Sequence, residues 1–307
     1  MAVGDGPTGT TTDSGSAGTL EFLIRRMCHK PDFPAMSQHV AEINRMAADG
    51  GDWSANALAN IVLNDYSLTT KLLRLVNSPL FGQYGREIST VSRAIVVLGF
   101  KQVRLAALSL LLFEHLQNGE EADVLREAAV SSLLSGIMTH RLMVNLRMDE
   151  PEEGFVCAMF HNLGRTLAIH YFPEEYRVVS DRMRRSEETE EVASRRVLGI
   201  SYGDLGVGVA RYWGFSKALT ASMESLSPGK LPSPASRDGV LRQLAAMSNE
   251  LCRAFSAVEG ETRVTALKTT RQRFSAIAKL DEESMPRLVE GALAGDNDHP
   301  RALPLLP

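Results

Sequence analysis

The sequence predicts an all-α protein. Leu and Ala dominate it, and aromatic residues make up only 6% of its 307 positions. Long alternations of apolar and polar residues, the mark of a half-buried strand, are scarce. Apolar residues recur instead at helical spacing, between short segments rich in Gly, Pro, Ser and Asn. The length suits one large domain or two small ones.

Taken in order, residues 1–18 are small and polar and read as a disordered tail that could tether a partner. Leu20, Leu23, Ile24 and Met27 then fall at i, i+3, i+4 and i+7, which predicts a helix from about Thr19. Lys30-Pro31 breaks it, and Phe33-Pro34 prolongs the break. Ser37 is expected to cap a second helix through Val40, Ile43, Met46 and Ala47, ended by Gly50-Gly51. Ser54 is expected to cap a third, through Leu58, Ile61 and Val62. Asp65 separates it from a fourth, through Leu68, Leu72, Leu75 and Val76, which Asn77-Ser78-Pro79 stops. The loop 80–89 carries Gly82 and Gly85. Thr90 caps a short helix, 91–98, closed by Gly99, and another helix follows over about 101–116. Short helices on tight turns make the N-terminal half a compact bundle.

The polar stretch 117–121 marks a candidate boundary. A long helix over about 122–142 follows, then GFVCAMFHNLGRTLAIHYF (154–172), read as one buried helix with a polar pair, His161-Asn162, at its middle. A helix over 173–185 starts with Pro in its first turn and Glu174-Glu175 at the positive end of its dipole. Residues 182–196 form a charge run whose i, i+4 spacings allow pairs such as Glu191 with Arg195, which predicts a solvated helix face. The glycines at 203, 206 and 208 have no preceding strand and the wrong spacing for a dinucleotide fingerprint, so close helix packing explains them better. The Pro- and Ser-rich stretch 227–238 reads as a mobile loop. Helices are expected over about 239–258, 267–280 and 281–294, before an irregular tail.

Composition excludes several functions. The net charge of −4 supplies no basic field for nucleic acid and no polybasic membrane anchor. The longest apolar run, 105–113, is too short to cross a bilayer, which needs about 20 residues. Three cysteines, Cys28, Cys157 and Cys252, lie far apart and in no CxxC pair, which argues against a disulfide framework and for a reducing cytoplasm. Cys157 sits among apolar residues and reads as a small core residue. The seven histidines include no HExxH pair. An adjacent His and Asp on a buried helix would suggest a metal centre, but the position after His161 holds an amide, a weaker ligand that cannot act as a general base. There is no GxSxG, Walker A motif or zinc-knuckle spacing.

Several stretches together resemble the HDOD domain, the HD-related output domain of bacterial signalling proteins. Phe33-Pro34-Ala35-Met36 is similar to that family's LPALP opening, and Ile61-Val62-Leu63-Asn64-Asp65 to its I..DP step. The likeness is closest over KLLRLVNSPLFG (71–82) and ISTVSRAIVVLGFKQVRLAALSL (88–110). It continues through FVCAMFHNLGRTLAIHYFPEEY (155–176), the GISYGDLG of 199–206 with Glu191 before it, and the WGF of 213–215. It covers about residues 19–256.

That resemblance implies an N-terminal helical bundle packed on an HD-domain-like helical bundle, divided as 19–120 and 121–258, with 259–307 a C-terminal extension and tail. It implies a bacterial, cytoplasmic signalling protein derived from metal-dependent phosphohydrolases. Position by position, the first metal histidine of an active HD protein is replaced by Ser131 (or Ser132), and the His-Asp pair becomes His161-Asn162. Tyr202, Glu224 and Asn249 stand where further histidines and the last aspartate would be. The expectation is a degenerate pocket of Ser131, His161, Asn162, Tyr202, Glu224 and Asn249, with no catalytic residue, metal or cofactor. The implied function is regulation through a protein partner: a sensor kinase, a response regulator or a cyclic di-GMP turnover protein. Two alternatives stay open. One is a sensor that uses these hydrogen-bonding side chains to hold a nucleotide or other small polar molecule. The other is an atypical metal-dependent phosphohydrolase in which His140 or His170 assists His161.

Overall fold

The computed structural model describes residues 12–45, 52–63, 66–77, 88–116, 121–186, 188–256 and 261–277. Among them are fifteen α-helices and no strand. No helix there is long and apolar enough to cross a membrane. The expected helix over 281–294 and residues 1–11 lie outside the described residues.

The N-terminal half holds α1 (Thr12–Cys28), α2 (Phe33–Arg45), α3 (Asp52–Leu63), α4 (Tyr66–Val76), α5 (Val91–Leu98) and α6 (Phe100–Leu116). Helix α1 starts inside the segment expected to be a disordered tail. Its stripe of Leu20, Leu23, Ile24 and Met27 packs on the core, and extending an anchored helix backward costs far less than nucleating one. Helix α2 starts at Phe33, one turn before the expected cap at Ser37. Pro34 sits in the first turn, where its missing N–H is no loss. Ser37 is buried inside the helix and accepts a hydrogen bond from the indole Nε1 of Trp213 at 3.0 Å. Ser54 likewise lies within α3 rather than at its cap.

Helix α4 ends where expected. Asn77 secures that end, donating to the carbonyls of Leu73 and Ile88 at 2.8 Å each and accepting from the Ile88 N–H at 2.7 Å. Thr90 caps α5 through the Arg93 N–H at 3.2 Å, and Gly99, at φ +91°, closes it.

The second half holds α7 (Ala122–Asn145), α8 (Pro151–Phe160), α9 (Leu163–Tyr171), α10 (Pro173–Ser186), α11 (Glu190–Leu198), α12 (Tyr202–Tyr212), α13 (Lys217–Ser222), α14 (Arg237–Ser256) and α15 (Glu261–Arg273). The stretch 154–172 is two helices, not one, and the break falls at His161-Asn162. A close helix contact follows just after it. Gly164, in the first turn of α9, presses on α12 so closely that a Cβ there would lie 1.8 Å from the Tyr202 carbonyl oxygen and 2.5 Å from the Gly206 nitrogen. Gly206 answers from the other side, its missing Cβ falling 2.8 Å from the Gly164 nitrogen. The expectation that the glycines at 203, 206 and 208 serve helix packing holds for Gly206 and Gly208, whereas a Cβ at Gly203 would meet Ser225 Oγ at 3.1 Å, beyond α13. Gly208, two residues on and so on another face of α12, receives Leu20 of α1.

One continuous core runs from Leu23 to Phe274 and joins both halves to α15. Trp213 is its largest fully buried side chain. Besides bonding Ser37, Trp213 offers its carbonyl to Asn44 Nδ2 at 3.0 Å, and Asn44 Oδ1 accepts from Arg104 at 2.6 Å. A residue at the end of α12 is thereby tied to α2 and α6. The loop expected to be mobile is instead held at several points. Leu231 is buried and donates its N–H to the Arg273 carbonyl at 3.0 Å, Arg273 reaches the Gly229 carbonyl at 3.2 Å, and Gln243 bonds the Pro232 carbonyl at 2.9 Å.

Gly164→Ala must displace backbone, whereas Gly208→Ala meets only the end of a flexible leucine. Chemical denaturation is expected to show a loss of about 3 kcal/mol or more for Gly164→Ala and a smaller loss for Gly208→Ala.

Candidate functional site

The break between α8 and α9 places His161 and Asn162 where α14 crosses. Asn162 takes the N-cap position of α9 but makes no side-chain cap, because its amide is engaged elsewhere. Its Nδ2 donates to Asn249 Oδ1 at 2.7 Å. Asn249 is fully buried on α14 and donates to the Ala158 carbonyl at 2.9 Å and the Ala245 carbonyl at 2.8 Å. Every hydrogen of the Asn249 amide therefore points at a carbonyl, and its oxygen receives a donor. The position requires an amide. A carboxylate there would set an anionic oxygen against two carbonyl oxygens.

His161 is half-buried, and its Nδ1 donates to the Ser222 carbonyl at 2.8 Å. Burial is the main cause that pushes its pKa down to about 4, with the Arg253 and Arg242 charges adding to the fall against the Ser222 bond. The imidazole is neutral near pH 7. Glu224, two residues past Ser222, pairs with Arg242 at 3.1 Å and Arg211 at 3.7 Å. Ser131 faces α14 beside Cys252, and its carbonyl accepts from the Ser135 hydroxyl at 2.8 Å. Thr139 donates to the Ser248 hydroxyl at 2.8 Å.

Of the six residues expected to share a pocket, the structure joins Asn162 and Asn249 directly, with His161 next in the chain. Glu224 is held at the edge by two arginines. Tyr202 belongs elsewhere: its ring lies among Arg165, Tyr176 and Glu190, and its buried hydroxyl finds no hydrogen-bond partner. Burial, then the Glu190 charge, raises its pKa. The cavity beside these residues is apolar, lined by Leu112, Leu125, Ala129, Ser132, Met159 and Phe160 among others. Cys157 is fully buried, and burial pushes its thiol up to about 12, so it is a core residue and not a nucleophile.

A divalent ion does not fit the residues around His161. One neutral imidazole stands among amides whose hydrogens already face carbonyls, and a stable site takes three or four ligands. His140 and His170 do not supply them. His140, on α7, is pushed down to about 4 by burial and by Arg141. His170 meets Asp32 and His115, and this trio is the one group of metal-ligating side chains with suitable spacing among the described residues. Sequence reading passed over it because the three residues are far apart and share no motif.

Comparison with known proteins decides the family. The HDOD domain profile matches residues 33–227. The chain belongs to that family. No curated protein matches it. Among solved structures, an HDOD domain protein of unknown function from Geobacter sulfurreducens superposes with a TM-score of 0.62 at 16% identity, over 91% of this chain and 97% of that one. A protein provisionally assigned as a phosphohydrolase from Shewanella amazonensis superposes with a TM-score of 0.65 at 19% identity, over 93% of this chain and 96% of that one. A provisional signal transduction protein from Marinobacter aquaeolei gives a TM-score of 0.52 at 16% identity, over 92% of this chain and 67% of that one. The HDOD assignment and the all-α architecture expected from sequence are thus both found.

Two tests address the site. Asn249→Asp is expected to lower stability by about 2–4 kcal/mol in urea unfolding, the cost of setting an acceptor against two buried carbonyls. Asn249→Ala should cost less than the aspartate. The second test concerns pH. An unfolded histidine takes up a proton near pH 6.5, whereas folded His161 does so only near 4. Between those values the unfolded state binds more protons, so stability is full above pH 6.5 and falls as pH drops toward 4. Because His140 behaves alike, the contribution of His161 is isolated by His161→Asn, which keeps a donor near the Nδ1 position. That variant should show a fall between pH 7 and 4.5 that is shallower by on the order of 2 kcal/mol.

Proposed function

We propose that this HDOD protein is a non-enzymatic signalling module that acts by binding a protein partner. The Asn162–Asn249 pair carries the reading. Where a phosphohydrolase of HD type would need carboxylates, these two amides satisfy each other and the neighbouring carbonyls. A water could not be activated there without a charged ligand or base.

The same hydrogen bonds weigh against a polar small-molecule sensor, since they leave few free donors, and the adjoining cavity is apolar. Surface features support docking. On α10 and α11, Arg182 forks onto Glu188 at 3.1 and 3.0 Å, and Arg196 pairs with the same carboxylate. Glu191 pairs with Arg195 at 3.3 Å, as its spacing predicted. Val178 and Val192, on the same two helices, are exposed. Exposed apolar side chains on helices that also carry charged pairs are what a reversible protein interface uses. The partner class we assign is a sensor kinase, a response regulator or a cyclic di-GMP turnover protein in the cytoplasm.

The test is affinity capture from the source cell with the full chain, run beside Val178→Asp and Arg182→Glu/Arg196→Glu variants. A signalling protein recovered with the parent and reduced at least about tenfold with the variants is the expected result. Failure to recover any such protein reproducibly would sink the proposal. So would nucleotide or cyclic di-GMP hydrolysis by the metal-supplemented protein that His161→Ala abolishes.

A further inference from the structure

A second constellation lies away from the amide pair, where the two halves of the molecule meet. Asp32 stands in the turn between α1 and α2, His115 in the last turn of α6, and His170 near the end of α9. Nε2 of His115 and Nε2 of His170 each lie 3.0 Å from Asp32 Oδ2. The Tyr171 hydroxyl is 3.5 Å from that oxygen and 3.2 Å from His115 Nε2. The rings of His115 and His170 are tilted toward each other with centroids 5.7 Å apart. All three ligand atoms fall within 4.8 Å of one another.

Hydrogen bonding alone accounts for this arrangement poorly. Two imidazole nitrogens press on one carboxylate oxygen at 3.0 Å, with the Tyr171 hydroxyl close by at 3.5 Å. Both imidazoles must carry their proton on Nε2 for that purpose. A divalent cation placed among the three atoms removes the crowding, because each Nε2 then offers a lone pair and the carboxylate its charge. Metal–ligand bonds of about 2.0–2.2 Å in tetrahedral geometry set ligand atoms about 3.3–3.5 Å apart. The two 3.0 Å Nε2–Oδ2 contacts need open by only a few tenths of an ångström to reach that spacing, and the two Nε2 atoms, within 4.8 Å of each other, need settle to the same distance. Exposure fits as well. The His170 side chain is 7% exposed and that of Asp32 38%, so the site is walled by protein on one side and open to solvent on the other.

We propose that Asp32, His115 and His170 form a binding site for a first-row divalent transition metal, zinc foremost, with water completing the coordination shell. Two imidazoles and a single carboxylate suit zinc, cobalt, nickel or ferrous iron. They suit calcium and magnesium badly, since those ions want an all-oxygen shell. The bound ion clamps the α1–α2 turn and α6, from the first half, to α9 in the second. The site is separate from the His161 region and does not depend on the partner-binding reading.

The test is titration of the full chain, stripped with chelator, with cobalt(II). Expected are one equivalent bound, visible d–d bands of a low-coordinate ion, displacement by zinc, and a rise in melting temperature with zinc. Asp32→Asn keeps the shape of the side chain and is expected to weaken uptake by about a hundredfold or more, since even loss of a group supporting a ligand costs 10–100-fold. A His115→Ala/His170→Ala double variant should bind none, while His161→Ala binds as the parent does. Absence of uptake by the unaltered chain at tens of micromolar cobalt or zinc overturns the proposal, as does uptake that survives Asp32→Asn undiminished. Because the parent and the near-isosteric Asp32→Asn decide the matter, a double variant that failed to fold would not protect the idea.

Discussion

The contact between Gly164 and Gly206 governs much of what surrounds it. Two helices can meet backbone to backbone only where neither presents a Cβ, and α9 meets α12 that way. The chain passes from α8 to α9 at His161-Asn162, two residues before that contact. The turn aims Asn162 at α14 and sends α9 on toward the first half, where His170 reaches Asp32. Both polar clusters thus lie within one helix of that close approach.

Those clusters differ in character. The amides of Asn162 and Asn249 form a closed system in which each buried donor has an acceptor. Such a network rigidifies a core and tolerates little change. The group around Asp32 carries charge and borders solvent. Burial opposes ionisation of Asp32, yet the hydrogen bond from His170 and the fields of both imidazoles hold its carboxyl below its ordinary value. Burial, against the Asp32 charge, holds His115 below its own ordinary value. The first cluster is a piece of architecture. The second keeps a carboxylate and two imidazoles close together, groups that the first lacks.

Legibility in the sequence followed the range of the forces involved. Helices ruled by local signals were readable to within a residue or two: Thr90 and Gly99 bracket α5, and Pro173 opens α10. Where a distant partner decided the outcome, reading failed. Ser37 looked like a cap, but the Trp213 indole holds it in the core. The apolar pattern of 154–172 runs through the break, where only Asn162 and Gly164 depart from helix-forming residues, and the contact of Gly164 with α12 has no local signal. The loop 227–236 has a mobile composition, yet Arg273, in a helix beyond it, ties it down. In the site, the pairing of positions 162 and 249 could be anticipated from the family likeness. The displacement of Tyr202 and the meeting of Asp32 with two histidines could not, since both depend on how helices rotate about their axes.

The burial of Trp213 has an optical consequence. Its indole is fully enclosed, donates to Ser37 on α2, and lies near the Phe33 ring, with centroids 6.0 Å apart. Its emission therefore senses whether α2 is seated on the end of α12. The chain has just two tryptophans, so replacing Trp53 with Phe leaves a single emitter at the seam between the halves. Loosening of that seam, by a partner or by any other agent, becomes visible as a red shift well before the helices melt.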